Sequence, residues 1–329
     1  MPRISVVIPV YNHQNYIVSC VRSVLEQTYK DFEIVVVDDG STDATSQILA
    51  GFGNSIKYIR QENRGGAAAL NTAIRNSCGE YIAWLSSDDE FLPGKLQLQL
   101  DFLERNPGID LAYTDFYIID TIGRVLSSCR SAYYTEKKSF LYHMLAANFI
   151  NGATVMFKRS CLEKVGYFDE ELKYHADSNM WFRMLKYYRF GHLPELLLRY
   201  RWHTKNLSHH FTAMKKYYYL YYEKIFLLYD DTEFFPEQTS VADARLRLAE
   251  ILEKHRIYSL AFAKVASGIR IKPAVLFKLN FWVPFVLRLP LQFIIDIGLR
   301  IFSWQQRHFA LAFLSKLYFR LNTGVVRVD

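Results

Sequence analysis

Two pairs of adjacent carboxylates stand out in the 329-residue chain: Asp38-Asp39 in FEIVVVDDGSTD and Asp88-Asp89 in YIAWLSSDDEFLPGKL. Each pair ends an apolar run. Neighbouring carboxylates repel and raise each other's pKa unless a cation neutralises them. Mg2+ and Mn2+ are hard ions that take oxygen ligands, often one or two carboxylates plus the phosphates of a substrate. Asp88 and Asp89 are therefore candidates for holding a divalent cation, although Asp after a strand also shapes turns and caps helices. Asp38 and Asp39 carry two readings as well. One is a tight turn with a helix cap; the other is an acceptor for a nucleobase N–H or for ribose hydroxyls, as in dinucleotide sites. A further acidic residue, Asp177, lies in a segment where Met180, Trp181, Met184 and Leu185 mark one helical face. Alone, it reads as a first-turn carboxylate favoured by the helix dipole.

The elements that must position these groups are legible from their periodicity. ISVVIPV, residues 4–10, is a β-branched apolar run suited to a strand buried on both faces. Ile17, Val21, Val24 and Leu25 then fall on one helical face. A second strand over 33–37 stops at Asp38, Asp39 and Gly40, and Ser41 is placed to cap a helix over 42–52. IKYIRQEN gives a third strand, GGAAALNTAIRNSCG a helix closed by Gly79, and YIAWL a fourth strand. Lys95–Arg105 is helical, and DLAYTDFYIID is a fifth strand. Strand and helix alternate at roughly 25–30 residues, which predicts βαβ units in a mostly parallel sheet flanked by helices. Ligands of such sheets bind outside the carboxyl ends of the strands. Both carboxylate pairs should border that one crevice. No GxGxxG follows the first strand and no GxxxxGK[ST] occurs, which disfavours a nicotinamide cofactor and a P-loop.

Composition narrows the class. Half the chain is apolar, enough for a large core. The four cysteines, Cys20, Cys78, Cys129 and Cys161, are scattered without a CxxC pair, so a disulfide framework or zinc site is not expected and a reducing cytosol is. MPRISVVIPVYN runs straight into a strand and lacks the pattern of a signal peptide. Residues 251–329 hold 12 Lys and Arg against 3 Asp and Glu, a balance of +9; with +7 for the whole chain, the rest sums to −2. The basic excess points to an anionic partner for that part alone. From about 210 the chain is aromatic and helical in pattern. Its longest apolar stretch is interrupted by Lys278, Arg288, Asp296 and Arg300 and kinked by Pro284 and Pro290. A spanning helix needs about 20 apolar residues with few charges. Arg-flanked segments with Trp282 and Trp304 instead suit an anionic membrane interface, with a protein–protein contact as the competing account. No nucleic-acid reader motif is present, and nucleic acid is not expected as a partner.

Five segments, SVVIPVYN, DFEIVVVDDGSTD, NRGGAAALNTAI, GEYIAWLSSDDEFLPGKL and YHADSNMWFRML, resemble in order and spacing the motifs of family 2 glycosyltransferases over about residues 1–205. The resemblance implies a GT-A (Rossmann-like) catalytic domain over 1–210; the helical region expected over 211–329 lies beyond it. It implies that Pro9 and Tyr11 wall a nucleobase, that Asp39 accepts a hydrogen bond from it, and that Asn63, Arg64 and Gly65 lie beside the nucleotide. Asp89 would bind the Mn2+ or Mg2+ that bridges the diphosphate, while Asp88 touches ribose or the donor sugar. Asp177 matches the general base. YRWHTKNLS resembles an element whose His, here His203, approaches the metal or the diphosphate.

The implied reaction is a single inverting displacement. It would move a sugar from a nucleotide-diphosphate donor, with UDP the expected nucleotide, to a glycan or lipid-linked acceptor hydroxyl in cell-surface polysaccharide or glycan assembly. The expected location is the cytoplasm, with docking of 251–329 on the inner face of the cytoplasmic membrane. Three departures, Ser86 and Ala176 in place of acidic residues and Asn179 in place of Asp, keep a second reading open: a degenerate nucleotide-sugar-binding or scaffold protein. A nucleotidyltransferase is disfavoured, because no basic phosphate-gripping loop lies near the first strand.

Overall fold

The computed structural model describes residues 1–204, 206, 211–254 and 257–271. Its centre is β1 (Ile4–Val10), whose apolar residues leave no polar face to turn toward water. β2 (Phe32–Asp38) and β4 (Tyr81–Trp84) flank it in parallel, with Ile4 opposite Phe32 on one side and Tyr81 on the other. β3 (Lys57–Arg60) continues the parallel set beyond β2. The crossovers carry α1 (Ile17–Leu25), α2 (Thr45–Ala50) and α3 (Gly66–Arg75). Ile17, Cys20, Val21 and Val24 of α1 are buried in the same core as Ile4, Val6 and Ile8.

The remainder mixes directions. It comprises β5 (Glu90–Phe91), α4 (Lys95–Arg105), β6 (Leu111–Ile119), β7 (Val125–Cys129), α5 (Lys137–Ala147), β8 (Met156–Lys158), α6 (Cys161–Val165), α7 (Ala176–Leu185), β9 (Phe190–Arg201) and α8 (Phe211–Leu228). The order across the sheet is β3-β2-β1-β4-β8-β6-β9-β5, with β7 on β6. β8 runs antiparallel to both β4 and β6, β9 runs parallel to β6, and β5 and β7 run antiparallel to β9 and β6. Six of the nine strands thus share one direction (β1, β2, β3, β4, β6 and β9). The predicted parallel sheet holds for its first half, and the second half is mixed.

Two local expectations give way to other hydrogen bonds. Ser41 does not cap a helix: its hydroxyl accepts from the Asn12 N–H at 3.0 Å and its own N–H goes to Asp38 at 2.8 Å. The Asp43 carboxylate instead receives the Thr45 N–H at 2.9 Å, and α2 starts there. Gly79 does not close α3, which ends at Arg75. Its N–H donates to Ser5 Oγ at 2.7 Å, and a Cβ at this position would lie 2.5 Å from the Ser5 nitrogen. Glycine is required there by the close approach of two backbones.

The chain divides into two compact units, Met1–Tyr229 and a second that begins at Asp230. The first continues past the expected boundary at 210 because the aromatic stripe of α8 is core. Tyr221, Tyr222, Ile225 and Tyr229 are buried, with the Tyr222 hydroxyl donating to the Leu145 carbonyl at 3.1 Å and that of Tyr229 to Phe182 at 2.7 Å. In the second unit α9 (Val241–Lys254) packs on α10 (Tyr258–Ile271). Partly buried Asp231 accepts from Arg245 at 2.9 Å and from Lys264. Among the described residues no helix is long and apolar enough to cross a membrane. The basic, Trp-bearing stretch proposed for a membrane interface lies largely outside the described residues.

Candidate active site

At the end of β2 the two adjacent carboxylates separate into different tasks. Asp38 is buried and closes its own turn, accepting from the Ser41 N–H at 2.8 Å, the Tyr58 hydroxyl at 3.1 Å and the Ser46 hydroxyl. Burial alone would raise this carboxyl; the hydrogen bonds outweigh it and hold Asp38 below the usual carboxylate range. Asp39 reaches instead across to the β3–α3 loop. Its Oδ1 accepts from Gln61 Nε2 at 2.7 Å and from the Arg64 N–H at 2.9 Å, and Oδ2 from the Gly65 N–H at 2.8 Å. Asp39 is only 2 % exposed. A carboxylate offers about four acceptor positions; these three bonds leave one on Oδ2.

Two glycines make this junction fit. Gly65 has φ +95°, a conformation side chains rarely adopt, and a Cβ on Gly40 (φ +76°) would lie 2.9 Å from the Asn63 nitrogen. The structure thus brings Asp39 together with the loop that carries Arg64 and Gly65. Pro9 lies near the end of β1 opposite Val37, and Tyr11, which follows, is exposed.

The β1–α1 loop is clamped to the β2–α2 loop. Asn12, at φ +54°, accepts the N–H of Thr42 at 2.8 Å and of Asp43 at 3.3 Å, and the His13 N–H donates to Thr45 Oγ1 at 3.1 Å. This fixes His13 beside the turn after β4, where its Nδ1 lies 2.7 Å from Ser87 Oγ.

In that turn Asp88 and Asp89 point apart. Asp88 Oδ2 lies 3.0 Å from His203 Nε2. The ligand atoms of His13, Asp88 and His203 all fall within 4.8 Å of one another. His203 follows β9 and is held by a backbone bond to Asn206 Oδ1 at 2.5 Å and by stacking on Tyr16 at 5.1 Å. Asp89, the expected metal ligand, is outside this group. It is 1 % exposed and accepts the Arg201 N–H at 2.8 Å, while the Arg201 guanidinium donates to the Asp88 carbonyl at 2.9 Å. Burial, then the charge of Asp88, push the Asp89 carboxyl well above its ordinary value, with Arg201 offsetting part of the shift. The position beside His203 belongs to Asp88, because Asp89 turns inward to tie β9 to the end of β4. His13 stands in none of the sequence motifs. Its signal was its place: a metal-competent side chain in the loop directly after the first strand, hence at the same crevice.

Asp177 lies in the first turn of α7 and is half-buried. Burial raises its carboxyl, partly offset by the Ser178 N–H. His175 before it adopts φ +62° and packs its ring 4.5 Å from Tyr218 and 4.9 Å from Tyr221. A run of rings connects α7 to β4: Trp181 meets Phe168 at 6.1 Å, and Phe168 meets Trp84, the last residue of β4, at 5.8 Å. Neither Asp39 nor Asp177 belongs to the His13–Asp88–His203 group.

Asp169, Glu170 and Glu171 are each paired. Lys224 of α8 bridges Asp169 at 2.5 Å and Glu171 at 2.7 Å, and Glu170 takes Arg64 at 2.7 Å and Asn71 at 2.9 Å. Asn179 accepts from Arg183 at 3.0 Å and is structural.

Residues 5–166 match the family model of glycosyl transferase family 2. A glycosyltransferase of Methanocaldococcus jannaschii is 31 % identical over 222 residues, covering 65 % of this chain and 75 % of that protein. One of Rickettsia typhi is 37 % identical over 205 residues, 61 % of this chain; the chain spans 64 % of that relative's length. Among solved structures, S. aureus TarS 1-349 in complex with UDP-GlcNAc aligns with a TM-score of 0.56 at 20 % identity, covering 100 % of this chain and 94 % of that one. The mixed sheet with its flanking helices is the GT-A fold of nucleotide-sugar enzymes. The chain belongs to glycosyltransferase family 2.

Proposed function

We propose that the chain is an inverting glycosyltransferase that moves a sugar from a nucleotide-diphosphate donor to an acceptor hydroxyl in glycan assembly, such as cell-surface polysaccharide. The observation that carries this reading is Asp39, buried, fixed by the Arg64 and Gly65 amides and retaining one acceptor position at the carboxyl end of the parallel strands. In this reading Asp39 receives a nucleobase N–H, Tyr11 and Pro9 wall the base, and Asn63, Arg64 and Gly65 line the nucleotide. UDP-sugars are the first donors to test, since TarS, which shares the fold, was solved with UDP-GlcNAc.

A divalent cation, Mn2+ or Mg2+, fits the donor atoms of Asp88 and His203, and when bound it would neutralise charge on the departing diphosphate. Asp177 serves as general base, taking the acceptor's proton as the hydroxyl attacks the anomeric carbon. A carboxylate raised by burial is a stronger base than one in water, which suits the role. The acceptor is a glycan or lipid-linked hydroxyl, reached from the cytoplasm with the basic 251–329 region against an anionic leaflet.

The test is a thermal-shift screen of nucleotide sugars with and without Mn2+, followed by an assay for donor hydrolysis and transfer. Occupied sites raise the unfolding temperature in proportion to ligand binding. Stabilisation by none of the donors would sink the reading. Stabilisation without any turnover would mark a degenerate binding protein.

A further inference from the structure

We infer that His13 is a third protein ligand of the cation site, so that the site presents two imidazoles and one carboxylate, selects Mn2+-like transition ions over Mg2+, and holds its ion before the nucleotide arrives. The inference rests on the reading of Asp88 and His203 as cation ligands.

The geometry supports three ligands converging on one ion. Metal–nitrogen and metal–oxygen bonds of about 2.1 Å place neighbouring ligand atoms roughly 3 Å apart at right angles. The 3.0 Å between His203 Nε2 and Asp88 Oδ2 has that spacing, and the His13 donor atom completes a set within 4.8 Å. The His13 and His203 rings stand 6.1 Å apart at 90°, so they meet the site from different directions.

Each imidazole is also held by a neighbour, as metal-binding imidazoles commonly are. Ser87 Oγ bonds the His13 ring at 2.7 Å, and Tyr16 stacks on His203. The loop carrying His13 is fixed through Asn12 and Thr45, so little ordering remains for the ion to impose.

The donor set decides the ion. Mg2+ demands oxygen ligands in near-ideal octahedral geometry and usually borrows them from substrate phosphates. Imidazole nitrogen favours borderline transition ions. Three protein ligands retain such an ion alone and leave open positions for diphosphate oxygens.

The experiment uses the full chain, stripped with chelator and free of nucleotide. Mn2+ binding is followed by electron paramagnetic resonance, with 14N couplings counted by spin-echo modulation, and repeated in equimolar Mg2+. The expected result is one tightly held Mn2+ coupled to two imidazole nitrogens and not displaced by equimolar Mg2+. His13→Ala should lose one nitrogen coupling and about tenfold or more in affinity. His13→Gln, which keeps a polar group beside Ser87, should also lose that coupling; circular dichroism checks that both variants fold. Two couplings persisting in either folded variant, or ready displacement of Mn2+ by Mg2+ in the wild type, would overturn the inference. Asp88→Asn separates the two levels. If it abolishes Mn2+ binding while His13→Ala does not alter it, only the third ligand fails. If neither variant alters it, the cation reading of Asp88 fails as well.

Discussion

Arg64 Nη2 lies 2.7 Å from Glu170 Oε2, joining the loop that Asp39 fixes to the loop leading into α7 and Asp177. The pair is half in water, at 55 % and 33 % side-chain exposure, so its share of stability is small, about 0–1 kcal/mol. Its consequence lies in binding. If Arg64 lines the nucleotide as proposed, Glu170 would compete with a bound diphosphate for its guanidinium. Glu170→Gln should leave the unfolding temperature nearly unchanged and tighten nucleotide-sugar binding, read as a lower Kd in thermal-shift titration. Weaker donor binding in a stable Glu170→Gln protein would instead give Glu170 a direct part in holding the ligand loop.

Asp38 and Asp39 are adjacent in sequence, and their variants should fail differently. Asp39→Asn replaces one acceptor oxygen by a donor facing backbone N–H groups, leaving a buried group unsatisfied at about 1–3 kcal/mol; nucleotide binding should be lost with it. Asp38→Asn should cost stability with a smaller effect on binding. Its pH signature differs too. The folded pKa of Asp38 is lowered, so its contribution is complete above the unfolded value, about 3.9, and is lost as pH falls through the folded one. Urea midpoints measured from pH 5 downward should therefore fall less steeply in Asp38→Asn than in the wild type.

The basic excess of residues 251–329, 12 Lys and Arg against 3 Asp and Glu, predicts adsorption to anionic surfaces. The full chain should float with vesicles containing phosphatidylserine and not with purely zwitterionic ones. Binding should weaken as salt shortens the screening length to about 3 Å at 1 M. Equal flotation with both vesicle types, or none with either, removes the membrane account and leaves a protein contact.

What the sequence disclosed follows from range. β1, β2 and β4 are continuous apolar runs, and α4 is periodic, so each was readable from neighbours along the chain. β8 has three residues and β5 two, too short for any period; they exist as strands because β4, β6 and β9 offer them partners. The site divides in the same way. The junction of Asp39 with Arg64 and Gly65 joins two segments whose motifs are recognisable in the sequence. The different surroundings of Asp88 and Asp89 are not recognisable there, because Arg201 and His203, far along the chain, supply their partners. Lys224 likewise pairs with Asp169 and Glu171 only once α8 has packed.

Asp177 offers the most direct test of the chemistry. As general base it must be ionised, and burial raises its pKa above the ordinary value of about 3.9. Transfer should therefore decline on the acid side with an apparent pKa above that value, and be restored as pH rises through it. Asp177→Asn keeps the shape and removes the base. Transfer should fall by about 100-fold or more, the usual share of general base catalysis, while donor binding by thermal shift stays at the wild-type level. Asp177→Glu should retain partial activity, with the same acid limb displaced, because the carboxylate survives on a longer arm. Wild-type rates in Asp177→Asn would assign proton removal to another group. Loss of donor binding in that variant would make Asp177 part of the donor site instead.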